Sequence, residues 1–151
     1  MLRRAVFHCR RASAAASASA PSSGNEMILE RLSGADAGVA VMSFNRPEAM
    51  NSFSRAMVAL LKQAIQDCKF DPNLRCIIVR SLDEKAFCTG ADLKERRTMT
   101  PEEVGPFVSG LRQMVRDFYE LPVPTIAAID GFALGGGLEF AMTADMRYVK
   151  L

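Results

Sequence analysis

The sequence predicts an α/β fold built on a mostly buried sheet, and three observations carry that prediction. Short runs rich in β-branched residues alternate with longer stretches of helical period, in the order β, β, α, β, α, β, α, β. Two glycine-bearing loops, at Gly90 and at Gly135–Gly137, each follow a strand and precede a helical stretch. In open α/β sheets, binding sites gather at such strand ends. At 151 residues, with 49% hydrophobic and 24% charged side chains, the chain has the size and make-up of one globular domain.

Residues 1–25 stand apart from the rest. They hold Arg3, Arg4, Arg10 and Arg11, are rich in Ala and Ser, and contain no acid. That is the composition of a mitochondrial transit peptide, with cleavage expected between about 20 and 30. Residues 26–151 then form the folded domain, and the expected location is the mitochondrial matrix. Without the leader, 15 basic side chains face 17 acidic ones, so the net charge of +2 for the whole chain becomes −2. A mildly acidic body lacks the electrostatic footprint of a nucleic-acid binder. No apolar run reaches the length of about 18 residues that a membrane span needs.

The elements follow in order. Met27–Leu32 and Val39–Phe44 read as strands around a Gly/Asp turn, and Asn45-Arg46-Pro47 ends the second. A loop runs through Asn51 into a helix over residues 54–70. Its apolar face is Met57, Leu60, Leu61, Ala64, Ile65 and Cys68. Asp71-Pro72-Asn73 stops that helix, and Cys76–Val79 forms a buried strand. After a polar stretch, residues 86–94 place Gly90 in a loop before a short helical segment, Leu93–Arg97. Thr100-Pro101-Glu102-Glu103 has the order of a capping box with proline at the first helical position. Val104, Phe107, Val108, Leu111, Val115 and Phe118 mark the buried face of the helix it opens, with a kink or restart expected at Pro106. Thr125–Ile129 is a buried strand, and Leu138–Ala144 is a helix.

The stretch from Asp130 to Asp145 is the centre of the reading. Gly135, Gly136 and Gly137 let the backbone approach a ligand closely. The first N–H groups of the following helix have no partner within it and favour a negative oxygen. Glu139, three residues after Gly136, is placed to face the same oxygen. Taken alone, the stretch is equally a glycine-rich turn into a core helix with a solvated acid. The chain has a single histidine, His8, inside the leader. Histidine-based nucleophilic catalysis and histidine metal sites are therefore excluded from the body of the chain, and no metal is expected. Of the four cysteines, Cys9 belongs to the leader. Cys68, Cys76 and Cys88 show no metal or redox spacing and are expected as free thiols in or near the core.

Three segments, NRPEAMNS at 45–52, AFCTGADLKE at 86–95 and PTIAAIDGFALGGGLEFAMTADMR at 124–147, together resemble the enoyl-CoA hydratase/isomerase, or crotonase, superfamily in order and spacing. The resemblance implies a crotonase-like spiral of ββα units, of which this chain would be the N-terminal portion. It implies an acyl-CoA thioester substrate, with coenzyme A part of that substrate and no separate cofactor. It assigns the thioester oxygen to the backbone N–H groups of Ala91 and Gly136, and the positioning and activation of water to Glu139. The CoA portion would meet Glu48, Ala49 and Met50, the loop Thr89, Gly90, Ala91, Asp92, Leu93 and Lys94, and Gly135 with Gly136. Family hydratases use a second glutamate about twenty residues after the first, which here falls near position 159, beyond Leu151. The resemblance thus implies a fragment or alternatively spliced product, weak or inactive alone and without the part through which family members form trimers or hexamers. The rival readings are another acyl-CoA reaction on the same scaffold, a docking partner for full-length subunits, and RNA binding. An RNA-binding relative carries lysines spaced by four on the first helix; the positions here are Arg55, Ala59 and Gln63, which disfavours RNA.

Overall fold

The computed structural model describes residues 25–150. The transit-peptide reading, with His8 and Cys9, lies outside them. The chain runs β1 (Met27–Arg31), β2 (Val39–Phe44), α1 (Arg55–Lys69), β3 (Cys76–Ser81), β4 (Ala86–Cys88), α2 (Leu93–Arg96), α3 (Pro101–Tyr119), β5 (Thr125–Ile129), β6 (Phe132–Ala133), α4 (Gly136–Thr143) and β7 (Met146–Val149). Short 3-10 turns occupy Gly34–Asp36 and Pro47–Ala49.

Five strands form one sheet in the order β1-β2-β3-β5-β7. β1 is antiparallel to β2, as a short connection requires, and every other pair is parallel. β4 and β6 form a separate parallel pair. Successive units therefore share one plan: β3–β4–α3 and β5–β6–α4 each send their first strand to the large sheet, their second to the small one, and follow with a helix. This is the ββα repeat. The small pair corrects the expected element order, in which residues 86–94 and 130–134 were loops. Strands of three and two residues leave no periodic trace in sequence.

Apolar spacing explains which face the helices cover. Met42, Phe44, Ile77, Val79, Ala127 and Ile129, on one face of the sheet, join the core cluster with α1, α3 and α4. The alternate residues Ile78, Ile126 and Ala128 stay half-buried, and Met146 and Tyr148 on β7 are exposed. The expectation of a mostly buried sheet therefore holds for one face among the described residues. Five buried phenylalanines knit the layers: Phe44 (β2), Phe53, Phe87 (β4), Phe118 (α3) and Phe140 (α4). Phe118 and Phe140 have centroids 4.5 Å apart, and Phe44 and Phe87 5.3 Å apart. Burying each ring contributes about 1.5–3 kcal/mol, and the cluster fixes the relative position of β4 and α4.

The helices obey their local signals with two corrections. Ser54 caps α1, its Oγ accepting the Met57 N–H at 2.9 Å, and Glu103 accepts the Thr100 N–H at 2.9 Å to open α3. α3 runs unbroken through Pro106, with no restart. Pro106 sits in the helix's exposed second turn, so its missing N–H leaves the Glu102 carbonyl facing water rather than core. Of the face expected for α3, only Phe118 is fully buried; Met114, not among the residues expected, joins it, and Val104, Phe107, Val108, Leu111 and Val115 are half-buried.

Candidate active site

The two glycine loops meet. A methyl group added to Gly90 would stand 2.8 Å from the Gly136 nitrogen and 3.2 Å from the Leu134 carbonyl oxygen. At φ +87°, Gly90 also holds a backbone conformation that other residues adopt only under strain. One turn further, Gly137 presses on β4: a methyl there would lie 2.2 Å from the Cys88 carbonyl oxygen. The glycines therefore serve close approach of α4 to the loop after β4.

Local hydrogen bonding decides which N–H groups face outward. Phe53 bridges to Ala91 in parallel register. Its N–H donates to the Gly90 carbonyl at 2.7 Å, and its carbonyl accepts the Asp92 N–H at 3.0 Å. In such a bridge the N–H of the middle residue points the other way, and the Ala91 N–H makes no hydrogen bond among the described residues. In the opposing loop, Gly137 and Leu138 donate to the Leu134 carbonyl at 2.9 and 3.3 Å, and Glu139 donates to Gly135 at 3.0 Å. The Gly136 N–H at the head of α4 donates to nothing among the described residues. α4 begins at Gly136, two residues before the expected Leu138. Glycine's poor helix propensity hides a start that backbone packing imposes.

Both donors open on a cleft of about 1040 Å³. Glu48, Ala49, Met50, Thr89, Ala91, Asp92, Leu93, Lys94, Gly135 and Gly136 line it. Those are the residues singled out in the sequence, apart from Gly90, which is buried beneath them. Thr89 Oγ1 donates to the Met50 carbonyl at 3.3 Å, joining two of the lining segments. Lys94 is exposed and makes no ion pair among the described residues. Glu139 is not among the lining residues; it stands exposed on the fourth position of α4.

Sequence reasoning missed the floor of this cleft. The Arg46 guanidinium reaches Glu26 through Nε at 3.0 Å, Ser52 Oγ and carbonyl through Nη1 at 2.9 and 3.1 Å, and Asp92 through Nη2 at 2.8 Å. Burial opposes its charge, but the hydrogen bond to Asp92 and the field of Glu26, Asp92 and Glu48 outweigh it and raise its pKa. Burial likewise opposes the Asp92 carboxylate. The Glu95 N–H, the Arg46 guanidinium and the Lys94 N–H overcome this and hold it below the usual carboxylate range. Asn51, fully buried at φ +53°, donates to Ser81 Oγ at 2.8 Å and the Ala86 carbonyl at 2.9 Å, and accepts the Arg46 N–H at 2.8 Å. The signal available in sequence was a lone arginine directly after an apolar strand, in a loop whose nearest acid is Glu48. The expected free thiols are found: Cys68 and Cys88 are buried and Cys76 is half-buried. Burial pushes the Cys88 thiol up to about 12, only partly offset by the Gly90 N–H.

Comparison with known proteins meets this geometry at the level of the family. The family model described as enoyl-CoA hydratase/isomerase matches residues 34–150. Human mitochondrial methylglutaconyl-CoA hydratase is 47% identical over 123 residues, 82% of this chain and 36% of that protein. Human mitochondrial enoyl-CoA hydratase domain-containing protein 2 is 44% identical over 124 residues, 82% of this chain and 42% of that protein. Among solved structures, an enoyl-CoA hydratase from Bacillus anthracis superposes with a TM-score of 0.77 at 37% identity, over 82% of this chain and 47% of that one. The chain thus spans about two-fifths of the length of the curated relatives it matches. With the ββα repeat, the paired glycine loops and a family match covering most of its length, the chain belongs to the enoyl-CoA hydratase/isomerase family.

Proposed function

We propose that the cleft binds an acyl-CoA thioester and that the chain carries the oxyanion-binding half of a hydratase adding water to 2-enoyl-CoA in mitochondria. One observation supports this above the others: two backbone N–H groups without protein acceptors, at Ala91 and Gly136, come from loops packed in direct contact at Gly90. Water adding to the β-carbon of a conjugated thioester pushes electron density onto the carbonyl oxygen as an enolate. A proton then returns to the α-carbon. Two fixed donors stabilise that oxygen, each by about 3 kcal/mol. Lys94, exposed on the rim, suits the anionic CoA portion. The names of the relatives carry the mitochondrial assignment and the hydratase chemistry to this chain.

Glu139 takes the proton of the attacking water in this reading. One carboxylate cannot both accept that proton and deliver the one at the α-carbon. The chain alone therefore binds enoyl-CoA but turns it over far below the about 10 s⁻¹ of a typical enzyme. Purified chain titrated with crotonyl-CoA and assayed for hydration tests both parts. Saturable binding with negligible turnover is expected. Absence of binding overturns the reading of the cleft, and turnover at ordinary enzyme rates that Glu139→Gln abolishes overturns the weak-activity part.

A further inference from the structure

We infer that Arg46 is a positioning residue for the Ala91 amide, acting through Asp92. The inference rests on the reading of the cleft just given. An N–H that donates to nothing in the protein cannot be aimed by its own bond; its neighbours must aim it. On one side of Ala91, the Gly90 carbonyl is held by the Phe53 N–H. On the other side everything depends on Asp92. Its Oδ1 accepts the N–H groups of Lys94 at 2.9 Å and Glu95 at 3.1 Å, which caps α2, and its Oδ2 takes Arg46 at 2.8 Å. Arg46 is fixed in turn, since Nε and Nη1 are committed to Glu26 and Ser52. The Arg46 and Asp92 side chains are only 16% and 7% exposed. A planar guanidinium meeting three partners at once transmits position in a way that a lysine, with one point charge, does not. The chain Glu26–Arg46–Asp92 therefore sets the direction of one oxyanion donor from the far side of the cleft.

A purely structural ion pair would affect stability and leave the polarisation of a bound thioester alone, so the readout must be polarisation. Crotonyl-CoA labelled with ¹³C at the thioester carbonyl, bound to the full chain, reports it through the downshift of the C=O stretch in difference infrared spectra. Arg46→Lys keeps the charge, and Asp92→Asn keeps the Oδ1 cap of α2, so both are suited to fold. Each is expected to bind the ligand and to lose most of the downshift. Arg55→Met, which breaks the exposed Arg55–Glu103 pair at 3.3 Å, is expected to keep it. An undiminished downshift in both Arg46→Lys and Asp92→Asn overturns the inference, as does equal loss in Arg55→Met. A wild-type chain that binds crotonyl-CoA with no downshift instead overturns the oxyanion reading on which it rests.

Discussion

The backbone nitrogen of Gly136 lies so close to Gly90 that a single added methyl on Gly90 would stand 2.8 Å from it, whereas a methyl on Gly136 would meet nothing nearer than the Gly90 α-carbon at 3.7 Å. The contact is asymmetric, and so is its consequence. Gly90→Ala must strain a φ of +87° and push the two loops apart. It is expected to cost about 1–3 kcal/mol of stability from the backbone alone and to abolish acyl-CoA binding. Gly136→Ala makes an ordinary van der Waals contact and should leave both nearly unchanged. Urea midpoints and calorimetric titration with crotonyl-CoA check the pair; equal effects of the two substitutions would contradict the packing.

Acid stability isolates Asp92. Its folded-state pKa is depressed by the Glu95 N–H, Arg46 and the Lys94 N–H, against the opposing effect of burial. A depressed carboxylate contributes stability above its unfolded pKa, near 3.9. That contribution fades as pH falls through the lower folded value. Wild-type chain should therefore lose stability more steeply than Asp92→Asn below about pH 4, while near neutrality the wild type is the more stable. Denaturant midpoints across that range give the comparison, and parallel curves would show that Asp92 carries no such coupling.

The thiols of the folded body differ in access. Burial raises all three pKa values, with Cys88 pushed up to about 12. Cys76, half-buried at the start of β3, should be alkylated first in native chain at mildly alkaline pH, and Cys68 and Cys88 only as the chain unfolds. Peptide mapping after timed iodoacetamide treatment reads the order directly. Early labelling of Cys88 would mean that the loop after β4 opens readily.

Much of this arrangement was legible in the residues, and what was not has a common cause. The α1 face was read well: Met57, Leu61, Ala64, Ile65 and Cys68 are buried as their spacing requires, with Val58 added and Leu60 only half-buried. The β2 limits and the two glycine loops were also plain, because period and turn chemistry are local. Asn51 was not, since its bonds reach 30 and 35 residues along the chain to Ser81 and Ala86. Arg46 and Asp92 likewise meet across 46 positions with no local pattern to join them. β4 and β6 exist only as each other's partner, and α4 starts at Gly136 because Leu134 and Gly135 accept its first bonds. Leu138→Ala144 as a helix followed propensity, which the packed backbone overrides. Glu139 was expected to face the oxyanion donors, and it stands exposed beside the cleft rather than lining it.

The central claim is that the N–H of Gly136 holds a thioester oxygen. Gly136 occupies the first helical position, where proline is well accommodated and only the N–H is lost. The direct measurement compares the carbonyl stretch of bound, ¹³C-labelled crotonyl-CoA in wild type, Gly136→Ala and Gly136→Pro. A downshift kept in Gly136→Ala and sharply reduced in Gly136→Pro is the predicted result. The same downshift in Gly136→Pro as in wild type would contradict it.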